Sequence, residues 1–327
     1  MFFAMLFIRA RMCYQKTIKN NIELSGKGLH SGKKVELSIR PAPADHGIVF
    51  RRVDIPMCPP IVAHASNVVD TSMATTLGKN GISIGTVEHL LSAFVGLQID
   101  NLSVDVRGPE VPIFDGSAAC FIQALKKSGF KEQKKQKKFL VITKPIAIRN
   151  KDRFCYLIPS SSFKVTCRID FAHTCIGKQH FDFFLPFDTK SLESNFYCTD
   201  IAEARTFGFI EDVSYLQSKG LALGASLENA IVLDKDSIVN QEGIRWHNEF
   251  VRHKVLDAIG DLALTGLQVI GHLITYRSGH SLHHQLVEKT LKSQDSWKIM
   301  TREDLMNRPH KMTPSFLDDQ ELLAAAA

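Results

Sequence analysis

His253, Asp257 and Asp261 stand at i, i+4 and i+8 of the stretch Phe250–Leu262, so they stack along one helical face. An imidazole and a carboxylate one turn apart can close on a single metal ion, with Asp261 left behind them. Three further groups could do chemistry. Glu88 and His89 are adjacent in Thr86–Leu90, Thr206 and Phe207 lie in Ala204–Phe209, and His280 follows Ser278-Gly279. Each alone is common on ordinary surfaces. Together, His89, His253 and Asp257 make a three-ligand set with a position open for water, the pattern of catalytic rather than structural zinc. Water on such an ion ionises near neutral pH. Glu88, beside a ligand, could take its proton. His280, an imidazole off the metal, could protonate a leaving group, with Asp261 holding its tautomer and raising its pKa. Thr206 and Lys254 could stabilise an oxyanion. Such a set suits hydrolysis of an amide.

The elements that must hold these groups recur. Thr86–Gly96 predicts a helix, Asn101–Val106 an alternating strand, Pro109–Ser117 a turn and Ala118–Lys127 a second helix. Phe250–Leu262, Ile270–Tyr276, Arg277–His280 and Ser281–Lys292 repeat the same order. Within the first of these, Val251, Val255, Ile259 and Leu262 form a core-facing stripe. Two copies of one α/β unit would bring His89 and His253 to a shared seam. Ahead of the first copy, Ile22–Ser25 and Val35–Arg40 read as a hairpin around glycine-punctuated Gly26–Lys33. Ahead of the second, Phe139–Ile142, Phe154–Ile158, Lys164–Phe171 and Phe181–Leu185 read as strands, and Asp212–Lys219 as a helix.

A chain of 327 residues has room for two domains, and 44% hydrophobic with 23% charged residues is a globular composition. A net charge of +6 permits an anionic ligand without demanding nucleic acid. Seven cysteines without a C-x-x-C pair argue for a reducing compartment and against a cysteine-built metal site. The apolar run Met1–Ile8 is too short to span a bilayer. Residues 1–12 read as an extension, residues 13–125 and 139–295 as the two domains, and 296–327 as a tail with no assigned function. Lys126–Lys138 holds seven lysines and one acid, and reads as a solvated linker. It lacks the interleaved aromatics that would stack bases, so no nucleic-acid partner is expected. A cytoplasmic monomer without a transmembrane segment is expected.

The motifs carry a resemblance. Gly28–Lys33, Thr86–Leu90, Pro112–Ala118, Ala204–Phe209, Phe250–Leu262 and Ser278–His280 together resemble the UDP-3-O-acyl-N-acetylglucosamine deacetylase family, the zinc amidases of bacterial lipid A synthesis. The likeness runs from about Tyr14 to about Lys298. It implies an α+β fold of two similar β-α-α-β domains, with the helices sandwiched between two sheets. It implies removal of the N-acetyl group from UDP-3-O-(3-hydroxyacyl)-N-acetylglucosamine, the committed step of lipid A biosynthesis. A zinc amidohydrolase acting on another acylated amino sugar is the alternative. His89, His253 and Asp257 would hold Zn2+, a set that also suits Fe2+. Glu88 would be the general base and His280 the general acid, with Asp261 orienting His280. Thr206 and Lys254 would meet the oxyanion or sugar hydroxyls. Ile210, Val213, Ala222 and Ala225 would wall an acyl-chain passage with Leu29 at its mouth, and Phe207 would pack on the sugar or acyl chain. Lys144 and Arg277 would face the diphosphate. Arg277 stands where lysine is common, which keeps the charge and changes its geometry.

Overall fold

The computed structural model describes residues 13–186 and 195–307. Residues 1–12, expected as an extension, and most of the expected tail lie outside them. Seven α-helices occur among the described residues: α1 (Glu88–Gly96), α2 (Ala119–Ser128), α3 (Phe196–Asp200), α4 (Ile210–Ser218), α5 (Glu249–Leu262), α6 (His280–Lys292) and α7 (Arg302–Met306).

A five-stranded sheet runs in the order Ile22–Lys27, Lys34–Pro41, Leu102–Arg107, Ile48–Arg52, Ile61–Val62. Its central strand, Leu102–Arg107, follows α1 and pairs antiparallel to Lys34–Pro41 and parallel to Ile48–Arg52. A seven-stranded sheet is built around Gln268–Tyr276, which follows α5. That strand pairs antiparallel to Arg153–Ile158 and parallel to Lys138–Ile142 and Phe163–Asp170. The repeat read in the sequence is therefore present: each histidine-bearing helix leads into a central strand and then a second helix. Alternation does the local work in the strands; Val35, Leu37 and Ile39 are buried between solvent-facing neighbours.

The helices occupy the space between the sheets, giving the expected mixed α+β layering. α5 and α6 lie on strands of the larger sheet, α2 touches Ile22–Lys27, and α1 packs on α5. Leu90, Leu91, Ala93 and Phe94 from α1 join Val251, Val255, Ile259 and Leu262 from α5 in one continuous core. The two helices meet very closely at Gly260, where an added Cβ would lie 2.0 Å from the Glu88 carbonyl oxygen. Only glycine fits there.

Two expectations need correction. Lys126–Lys138, expected as a solvated linker, is part of the folded unit. It finishes α2 and then forms the strand Phe130–Gln136, paired antiparallel with Tyr14–Ile18. Lysines tolerate this because most of them point to water. Lys137 alone is buried, 2.8 Å from Asp100 Oδ1. The tail after Asp295 is also structured at its start. Trp297–Thr301 extends the larger sheet by pairing with Lys138–Ile142, and α7 follows behind a Thr301–Asp304 capping box.

Candidate active site

The site sits where α1 and α5 cross. Thr86, just before α1, has φ 57°, a left-handed conformation that a β-branched residue adopts only under constraint. Its hydroxyl donates to Glu110 Oε2 at 3.0 Å. The turn aims Glu88 and His89, the first two residues of α1, at α5. Both are buried. The rings of His89 and His253 stand edge to face with centroids 5.0 Å apart.

Asp257 Oδ1 lies 3.3 Å from His253 Nε2 and 3.6 Å from His89 Nε2. His253 Nδ1–H donates to the Ala204 carbonyl at 3.1 Å, which leaves Nε2 free to act as a ligand. Burial pulls the His253 pKa down to about 3, so the ring is neutral. Asp257 Oδ1 is buried with no hydrogen-bond donor, whereas Oδ2 accepts from Lys254 Nζ at 2.9 Å. Burial opposes its charge, yet His253 and Lys254 hold the carboxyl well below the usual range. A buried anionic oxygen without a donor, facing two imidazole nitrogens, is what a cation would satisfy. The residues present therefore fit a metal.

Around this set stand further titratable groups. Glu88 Oε2 accepts the Thr75 amide at 3.0 Å, and Oε1 lies 3.8 Å from His280 Nε2. Burial raises the Glu88 pKa. His280 opens α6, and its Nδ1–H donates to Asp261 Oδ2 at 2.8 Å. Burial works against a charged His280, but Asp261, Glu88 and Asp257 outweigh it and raise the pKa to about 10. The Asp261 carboxyl is correspondingly held below its ordinary range by His280 and His283, against the effect of burial.

The other expected residues divide. Lys254 points its ammonium at Asp257, 5.5 Å from the centroid of the Phe207 ring. Phe207 packs edge-on against Phe250 at 5.0 Å and stands 6.3 Å from the His253 ring. Thr206 lies just before the strand Phe207–Phe209, and its amide donates to the Gly116 carbonyl at 2.8 Å. Leu29 reaches the second half: its carbonyl accepts the Gly224 amide at 2.9 Å, and His30 accepts Leu223 at 3.0 Å. At this contact an added Cβ on Gly224 would fall 2.0 Å from the Gly28 carbonyl.

Ala222 is buried beside this loop contact, whereas Ile210 and Ala225 are exposed and Val213 is half-buried. Ile210 lines a cavity of about 570 Å³ with Phe171, Phe209 and Leu233. The other three expected wall residues do not line that cavity. Lys144 is paired with exposed Asp295 at 2.8 Å, and Arg277 with exposed Asp152.

Two residues of the site escaped sequence reading. His283, one turn into α6 from His280, donates its Nδ1–H to the same Asp261 oxygen at 2.8 Å. The i, i+3 spacing of the two histidines was the only trace of it. Thr75 gave no pattern at all, because it lies in an irregular segment outside every motif.

The family model for UDP-3-O-acyl N-acetylglycosamine deacetylase matches residues 15–292. Relatives named UDP-3-O-acyl-N-acetylglucosamine deacetylase include one from Syntrophus aciditrophicus, 47% identical over 88% of this chain and 89% of its own length. One from Myxococcus xanthus is 48% identical over 88% and 89%. One from Saccharophagus degradans is 46% identical over 90% and 95%. With the two histidine-bearing helices crossed as the repeat requires, the chain belongs to the UDP-3-O-acyl N-acetylglycosamine deacetylase family.

Proposed function

We propose that this chain hydrolyses the N-acetyl group of UDP-3-O-acyl-N-acetylglucosamine, giving acetate and a free amine, as a step of lipid A biosynthesis. The observation that carries the reading is the meeting of His89, His253 and Asp257 with Glu88 and His280 beside them. His89, His253 and Asp257 would hold one metal ion, which we assign as zinc, with ferrous iron the alternative for the same donors. When bound, that ion would supply Lewis acidity to a water molecule and to the acetyl carbonyl.

Glu88, made more basic by burial, takes the proton of the attacking water. His280 carries its proton on the ring at neutral pH and delivers it to the departing amine. Asp261 keeps Nδ1 of that ring protonated, so that Nε2 faces the reaction. Thr206 would meet the oxyanion, and Lys254, bonded to Asp257 Oδ2, would keep that carboxylate in its ligating form. Lys144 and Arg277 would exchange their exposed carboxylate partners for the diphosphate, an exchange that costs little at solvated ion pairs. The acyl chain would pass Leu29, Phe207 and the segment holding Ile210, Val213, Ala222 and Ala225.

The test separates metal from proton chemistry. His280→Ala should depress turnover by a factor on the order of 10²–10⁴ with the metal retained. Asp257→Ala should lose the metal first. Loss of metal from the His280 variant, or full activity in either, would refute the division of roles. The same assay, run with and without the UDP and acyl groups, identifies the substrate.

A further inference from the structure

Thr75 is buried, and its contacts join parts of the site otherwise far apart in the chain. Its amide donates to Glu88 Oε2 at 3.0 Å. Its carbonyl accepts the Val87 amide at 3.2 Å, at the entry to α1. Its hydroxyl donates to Asp261 Oδ1 at 2.5 Å and lies 3.4 Å from His280 Nδ1. Asp261 Oδ2 is already committed to the two imidazoles of His280 and His283. The hydroxyl is therefore the one donor on the other oxygen among the side-chain contacts of the described residues.

These contacts fix both proton-handling groups from one point. The carboxylate of Glu88 cannot turn without breaking its hydrogen bond from the Thr75 amide, and Asp261 cannot turn without leaving a buried oxygen bare. If Asp261 rotates, the Nδ1–H of His280 loses its acceptor and the ring loses its aim at the reacting nitrogen. We propose that Thr75 is a positioning residue of the reaction, its amide setting Glu88 and its hydroxyl setting Asp261 and, through it, His280. The proposal rests on the reading of Glu88 as base and His280 as acid.

The experiment compares Thr75→Val, Thr75→Ala and Thr75→Ser for kcat, KM and bound metal, using UDP-3-O-acyl-N-acetylglucosamine as substrate. Glu88→Gln and His280→Ala are measured alongside. Removing the hydroxyl should lower kcat ten- to a hundredfold, with KM within about twofold and metal unchanged. Thr75→Ser, which keeps the hydroxyl, should recover kcat to within about threefold. In an Asp261→Ala background, Thr75→Val should cost less than threefold further, since its acceptor is gone. A kcat within threefold of wild type in both Thr75→Val and Thr75→Ala overturns the proposal. So does a loss explained by lost metal or raised KM, or a failure of serine to rescue. If instead Glu88→Gln and His280→Ala retain activity, the underlying assignment fails, a result distinct from any produced by Thr75 alone.

Discussion

Asp257 has two oxygens with different tasks. Oδ1 faces the imidazoles without a donor, and Oδ2 is held by Lys254. On the proposed reading, the lysine would act on the metal through the carboxylate it holds. Lys254→Met should weaken metal affinity ten- to a hundredfold, read by competition with a chelator. A second residue-scale prediction concerns stability. His272 lies in the central strand of the larger sheet, with Nε2 2.9 Å from Thr166 Oγ1. Burial, helped by Lys164, lowers its pKa to about 4. The unfolded ring binds a proton near 6.5, so between these values the unfolded state is protonated and the folded state is not. The stabilisation is complete above pH 6.5 and is lost as pH falls toward 4, by about 2–3 kcal/mol. His272→Gln should flatten the fall of the urea midpoint between pH 7 and pH 4.

At the scale of elements, the crossing of α1 and α5 sets the site. Gly260→Ala would push a methyl into the Glu88 carbonyl, and the helices must part to admit it. The cost should be 1–3 kcal/mol or more, seen as a lower urea midpoint, together with reduced metal retention because His89 moves away from Asp257. The helices and central strands were legible in the sequence because their apolar periods are strong, as in Val251, Val255, Ile259 and Leu262. Phe130–Gln136 was not legible, because a ribbon solvated on its lysines has no apolar alternation to read. It is held instead by pairing with Tyr14–Ile18 and by side chains such as Gln133, which donates to the Ala42 carbonyl at 2.8 Å. Thr75 was hidden for another reason: its importance lies in contacts 13 and 186 residues away, which no local pattern encodes.

Across the whole molecule, the candidate ligand set is divided, with His89 from one half and His253 and Asp257 from the other. Metal binding at these residues would then be linked to folding of the docked pair. Free metal at a hundredfold its Kd should add about 2.7 kcal/mol to stability, and a chelator should lower the melting temperature of the intact chain. A melting curve unmoved by chelator would contradict a site that forms only on docking. No helix among the described residues is long and apolar enough to cross a membrane.

The docking of the Gly28–His30 segment on Leu223 and Gly224 has a genetic consequence. The carbonyl of Gly28 occupies the space that any side chain at position 224 would need. Drift in one half is therefore policed by the other. If genes for relatives at 43–48% identity were recombined between the halves, survival of the chimaeras should follow whether residues 28–30 and 222–224 come from the same parent, more closely than overall similarity.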